Sequence, residues 1–230
     1  MAAIVKEKIS YYRGTLQMDV DESKIYKDVE KEAKNSLNTI MANYDHKALT
    51  WFAKFMKALT QSIYSKIVVN EDALKRVRAT IEQRKGPVIF APTHRSYVDF
   101  LLVSSIVFYY NIQVPYICAG EDLMQMPGIS NLLRASGAFF MRRTFRGDPL
   151  YRAIFTEYVT QLAMDKAVME FFAEGTRSRT NKMLAPKFGI VSILTNTFFD
   201  KKCEEITFIP TTINYTRTLE DSSFPGELTG

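Results

Sequence analysis

Covalent staples and long hydrophobic runs are scarce in this chain, and each scarcity excludes something. Cysteine occurs twice in 230 residues, at Cys118 and Cys203, each in an apolar, strand-like setting. That count argues against a disulfide framework, and a zinc site would need ligands that the chain lacks, so no metal is expected. The apolar opening Met1 to Val5 stops at Lys6, too short for the hydrophobic region of a secretory signal. One uncharged stretch, residues 100–120, approaches membrane-spanning length, but its second half carries Asn111, Gln113 and Pro115. Those residues burden a helix in lipid, so the stretch reads as a buried helix followed by a strand. Internal repeats and low-complexity tracts are also missing.

What is present describes an ordinary globular chain, with 47% hydrophobic and 24% charged residues. The length suits one sizeable domain with a helical appendage. The formal net charge of +5 favours anionic partners such as phosphate esters, anionic lipid or nucleic acid. Nucleic acid is disfavoured, because no aromatic residues interleave with the basic run Arg177, Arg179, Lys182 and Lys187.

Periodicity divides the chain. Residues 21–38 place Ile25, Val29, Ala33 and Leu37 on a narrow helical stripe. Residues 47–66 form a stronger helix, with a seam of Trp51, Phe55, Leu59 and Ile63 widened by Phe52 and Met56. A stripe of this kind packs against its own domain more often than it docks on a membrane, although flanking lysines suit anionic headgroups. Residues 70–85 make a third helix with Asn70 as N-cap, and Gly86-Pro87 ends the helical region. Residues 1–85 are therefore expected to form a small N-terminal helical subdomain.

From Val88 the pattern changes to strands alternating with helices. Strands are predicted at 88–91, 114–119, 138–141, 168–173 and 206–213, with helices at 97–110, 122–135, 149–165 and 187–199. The alternation predicts an α/β domain over 86–219, a mostly parallel sheet covered by helices. Residues 220–230 read as a polar tail.

Two cassettes carry candidate chemistry, each at the mouth of a predicted strand. His94-Arg95-Ser96-Tyr97-Val98-Asp99 offers a base with a carboxylate five residues on. A neutral imidazole takes a proton from a hydroxyl near neutral pH, and Asp99 is placed to hold its other nitrogen. The two meet only if His94 lies outside the helix and Asp99 in its first turn. The competing reading is a capping box over Ser96 to Asp99, which is compatible with it. The second cassette, Phe172-Ala173-Glu174-Gly175-Thr176-Arg177-Ser178-Arg179, places two arginines around a glycine turn, a pattern suited to phosphate. Arg142 and Arg143 end another strand in the same way. In a parallel sheet these loops share one edge.

Four ordered blocks then support a resemblance: His94 to Asp99, Gly137 to Arg143, Phe172 to Arg179, and Phe208 to Ile213. Together they resemble the glycerophosphate acyltransferase family, and the stretch from Gly137 to Val159 looks most like its dihydroxyacetone-phosphate branch. The resemblance implies His94 as general base, Asp99 as its orienting partner, and Arg142, Arg143, Arg177 and Arg179 as ligands of the acceptor phosphate. Glu174, Gly175 and Pro210 support the motif. It further implies long-chain acyl-CoA as co-substrate with no cofactor, dihydroxyacetone phosphate as acceptor, and ether-lipid synthesis as context. Glycerol 3-phosphate is the alternative acceptor, and a non-catalytic form that binds membrane or a partner enzyme is the alternative of another class. Peripheral attachment to the peroxisomal membrane, with mitochondria or endoplasmic reticulum as alternatives, and contact with the next ether-lipid enzyme are implied in the same way. Relatives continue past the fourth block and often end in a peroxisomal tripeptide, so this chain, ending Leu228-Thr229-Gly230, is expected to be truncated.

Overall fold

The computed structural model describes residues 21–125, 128–145, 147–180 and 182–220. Five parallel strands form one sheet in the order β3-β2-β4-β1-β5: β1 Val88–Pro92, β2 Tyr116–Gly120, β3 Ala138–Met141, β4 Val168–Glu170 and β5 Thr207–Thr211. Among the described residues seven α-helices accompany them: α1 Glu22–Ile40, α2 His46–Ile63, α3 Glu71–Gln83, α4 Asp99–Tyr109, α5 Ile129–Ala135, α6 Pro149–Met164 and α7 Gly189–Phe199. All five predicted strands are present, and the uncharged stretch divides into α4 and β2 as expected. Among the described residues no helix is long and apolar enough to cross a membrane.

Side chains alternate across each strand, so the sheet buries two faces. One face presents Ile89, Met169 and Phe139 to Tyr151, Phe155, Val159 and Leu162 of α6 and Leu194 of α7. The other presents Val88, Phe90 and Val168 to α4 through Val103 and Val107. On that same face Phe140 and Ala138 meet Phe52 and Met56 of α2.

The three leading helices belong to this architecture and share its cores. Ile25, Val29 and Ala33 of α1 pack on Leu150 of α6, Leu49 of α2 and Ile81 of α3 join the α4 cluster, and Ile40 joins the α6 cluster. Their starts are capped as polar residues dictate, with Asp21, Asp45 and Asn70 each accepting from a first-turn N–H.

The predicted helix faces need correction. Leu37 is exposed and Ile40 takes its place in the core. In α2 Trp51 is 58% and Phe55 47% exposed, whereas Leu49, Phe52, Ala53, Met56 and Thr60 are buried. The cause is geometric. At about 100° per residue a row spaced by four drifts about 40° around the helix at each step, so a stripe read at that spacing winds off the buried face. Trp51 and Phe55 instead stack on one another outside it, with ring centroids 5.7 Å apart. The helix expected at 122–135 is interrupted, as a 3-10 turn over Glu121–Gln125 followed by α5, with Gly128 at φ +77° before the second piece.

Gly86 marks the passage from helix to sheet for a steric reason. A Cβ there would lie 1.9 Å from the Glu205 carbonyl oxygen at the approach to β5. Gly86→Ala is therefore expected to lower the urea unfolding midpoint, by an amount equivalent to about 1–3 kcal/mol or more, the usual cost of forcing an atom into packed structure. An unchanged midpoint would show that the two segments separate freely.

Candidate active site

The helices after β1 and β4 leave their neighbouring strands toward opposite faces. α4 packs with Val88 and Phe90, and α7 packs with Ile89 and Met169. A crevice therefore opens between the two strand ends at the carboxyl edge, where ligands of open α/β sheets bind. Both cassettes lie in that crevice.

His94 follows β1, outside the helix, and Asp99 begins α4. The Asp99 side chain is fully buried. Its Oδ2 accepts from His94 Nδ1 at 2.9 Å, from Arg95 N at 2.6 Å and from Ser96 N at 2.9 Å. The five-residue spacing thus closes through a turn. The capping-box reading is corrected: Val98 is the N-cap, without a side-chain bond, Asp99 is the first helical residue, and the Ser96 hydroxyl turns to Glu220 instead of Asp99 N. An ionised carboxylate only accepts, so Nδ1 carries a proton, and in the neutral form of the ring the lone pair lies on Nε2. The imidazole packs on Phe172, with centroids 4.1 Å apart.

The second cassette grips the main chain of His94 from both sides. Glu174 is buried; its Oε1 accepts from His94 N at 2.9 Å and its Oε2 from Leu184 N at 3.0 Å. Ser178 N donates to His94 O at 2.8 Å. Gly175, at φ +66°, supplies the left-handed turn on which this grip depends. Pro210 lies on the edge strand β5 opposite Ala91. Thr207 N donates inward to Pro87 O, so two-residue alternation directs the Pro210 nitrogen toward the open edge, where a missing N–H costs nothing.

The four candidate phosphate ligands are placed differently. Arg177 is largely buried, with its guanidinium 3.4 Å over the Tyr97 ring and 3.9 Å from Glu220 Oε1. Arg179 is exposed on the same loop. Arg142 pairs with Asp148 at 2.7 Å and lies over the Tyr151 ring, and Arg143 pairs with Asp122. β3 stands three strands from β1, and the bond to Asp122 above all raises the Arg143 guanidinium pKa above its ordinary value.

Two residues of the site escaped the motif reading, and both follow β5. Tyr215 donates its hydroxyl to Asp99 Oδ1 at 2.5 Å. Glu220, expected in the polar tail, is only 8% exposed and accepts from Ser96 Oγ at 2.8 Å and Tyr97 N at 2.6 Å. The tail reading is corrected at this residue; residues 221–230 lie outside the described ones. A signal for both was available, since the rule that singled out the loops after β1, β3 and β4 applies equally after β5.

Comparison with known proteins adds the following. Residues 66–214 match the family model described as Acyltransferase. The dihydroxyacetone phosphate acyltransferase of Mus musculus is 42% identical over 202 residues, covering 86% of this chain and 30% of the relative. That of Homo sapiens is 39% identical over 218 residues, 90% of this chain and 32% of the relative. The glycerol-3-phosphate acyltransferase of Pseudomonas entomophila (strain L48) is 38% identical over 224 residues, 95% of this chain and 26% of the relative. The chain thus spans less than a third of the length of these relatives.

Beneath the site, Glu170 of β4 is fully buried on the α4 face of the sheet, and neither carboxyl oxygen has a hydrogen-bond partner among the described residues. Burial above all, and then the Asp99 charge, raises its pKa well above the ordinary carboxyl value. The unfolded chain ionises this group at lower pH than the folded one, so folding becomes costlier as pH rises above about 4.3. Glu170→Gln removes the titration. Its stability relative to wild type is expected to improve from pH 4 upward, by about 1.4 kcal/mol per pH unit until folded Glu170 ionises. Urea melts at pH 4, 6 and 8 check the slope; a difference constant with pH would contradict it.

Proposed function

The chain belongs to the acyltransferase family, and from that premise we propose that it transfers the acyl group of a long-chain acyl-CoA to the free hydroxyl of dihydroxyacetone phosphate, a step of glycerolipid and ether-lipid synthesis. The observation that carries the reading is the His94–Asp99 pair, 2.9 Å apart in a crevice flanked by basic loops. His94 Nε2 takes the proton of the acceptor hydroxyl while that oxygen attacks the thioester carbonyl carbon. Asp99 stabilises the imidazolium that forms. The C–S bond then breaks, and the imidazolium returns its proton to the departing thiolate, so no acyl-enzyme is needed. In this reading Arg177 and Arg179 hold the acceptor phosphate on the loop that also grips His94, with Arg142 and Arg143 on the β3 side.

A groove of about 930 Å³ supports the reading on the donor side. Ile63, Leu102, Ile106, Ile209 and Ile213 line it, and so does Tyr215, the partner of Asp99. Its size lies within the usual range of small-molecule sites, and its apolar wall suits an acyl chain. The outward face of α2, with Trp51 and Phe55 among exposed Lys47 and Lys54, supports peripheral attachment to an anionic membrane. Peroxisomal residence rests on the resemblance to the dihydroxyacetone-phosphate branch. Glycerol 3-phosphate is the second reading of the acceptor, favoured by the similarity to the Pseudomonas relative.

The test is acyl transfer from palmitoyl-CoA by the purified chain, with both acceptors offered in parallel and His94→Ala as control. The expected result is ester formed preferentially on dihydroxyacetone phosphate, lowered about 100-fold or more in the control, as loss of a general base requires. Preference for glycerol 3-phosphate would select the second acceptor. Transfer surviving in the control would remove His94 from the mechanism. A folded chain that binds palmitoyl-CoA without turnover would refute the enzymatic reading in favour of a binding one.

A further inference from the structure

Asp99 is held by more than its own loop. Three donors, His94 Nδ1, Arg95 N and Ser96 N, all converge on Oδ2. Bonds to a single oxygen leave the carboxylate able to turn about them. Oδ1 is engaged by the Tyr215 hydroxyl at 2.5 Å, from the loop after β5. Because Asp99 is 0% exposed, no bulk water replaces that donor. The Tyr215 ring is braced in turn by Tyr64 at the C-cap of α2, with ring centroids 5.8 Å apart.

We propose that Tyr215 is a positioning residue for the acyl transfer, fixing the Asp99 carboxylate against His94 and moderating how strongly it holds the imidazole. The proposal rests on the general-base reading of His94. Burial first, and then the bond to Asp99, hold the Tyr215 phenol above its ordinary range, so it remains a donor wherever the site works. The titratable groups around Asp99 are His94, Tyr215, Tyr64 and Glu170, and Glu220 acts on both tyrosines. Glu174 holds the His94 main chain. Of these, Tyr215 and His94 alone are side chains bonded directly to the Asp99 carboxylate among the described residues.

The hydroxyl withdraws negative charge from the carboxylate. Without it, more charge faces Nδ1–H, and the protonated imidazole is held more tightly. Tyr215→Phe in the full chain deletes this donor and keeps the ring against Tyr64. The expected result is a kcat lower by about tenfold or more, the usual weight of a hydrogen bond to a charged group. The KM values should stay within about twofold, because the ring that lines the groove is kept and only the hydroxyl bonded to Asp99 is lost. The acid limb of the kcat/KM profile should move to higher pH, and the His94 Nδ1 proton resonance should move downfield. An unchanged kcat and acid limb would overturn the proposal. So would a fall in kcat with the limb and the resonance both unmoved, since simple loosening of the fold predicts that pattern. The resonance needs no turnover: if wild type transfers no acyl group, the proposed function fails, while the resonance still decides whether Tyr215 governs the Asp99–His94 bond.

Discussion

The buried Asp99 carboxylate organises the candidate site, because a charge removed from water must be met by donors wherever they can be found. It takes them from two distant parts of the chain. His94, Arg95 and Ser96 supply three from the loop after β1, and Tyr215 supplies a fourth from the loop after β5. Those loops can converge only because β1 and β5 are paired in parallel register, which brings both strand ends to the same edge. The catalytic geometry proposed for His94 is thus a consequence of satisfying one anion.

A second set of carboxylates does similar work around the first. Glu174 spends both oxygens on backbone N–H groups, of His94 and Leu184, and so holds the β4 loop against the β1 loop. Glu220 accepts from Ser96 and Tyr97 and faces Arg177, whose guanidinium also lies on the Tyr97 ring. Arg177 is therefore set in place by its surroundings, and a guanidinium already fixed loses less freedom when it meets a phosphate. Glu170 is the exception, a carboxyl buried under the site with no hydrogen-bond partner among the described residues and with its pKa raised well above the ordinary carboxyl value, by burial above all.

Much of this was legible before any coordinates. β-rich runs between turn residues placed all five strands, and the alternation with helices implied their parallel arrangement. The His94–Asp99 pairing was legible as a condition, that the chain turn between them, and Ser96 N and Arg95 N show how it does so. Helix faces were less legible. The rows Ile25-Val29-Ala33-Leu37 and Trp51-Phe55-Leu59-Ile63 are genuine features of the sequence, but a row spaced by four winds around its helix, so packing takes Ile40 in place of Leu37 and keeps Phe52 and Met56, the widening residues of the second seam, while Trp51 and Phe55 stay outside. The tail reading failed at Glu220 because polarity signals exposure only on average; a carboxylate with a serine hydroxyl, a backbone N–H and an arginine beside it can be buried.

The sequence by itself determined the local and periodic facts: which segments are strands, that Asn70 caps α3, where glycine and proline turn the chain, and which short blocks carry a base and a basic loop. These follow from interactions between residues a few positions apart. The tertiary structure decided which groups meet. The strand order β3-β2-β4-β1-β5 puts the β4 loop beside His94 and β3 three strands away. The crossing of α4 and α7 to opposite faces opens the crevice, and the return of the chain after β5 brings Tyr215 and Glu220 to residues more than a hundred positions earlier. Such contacts depend on how whole elements stack to bury their apolar faces, and no spacing along the chain records that.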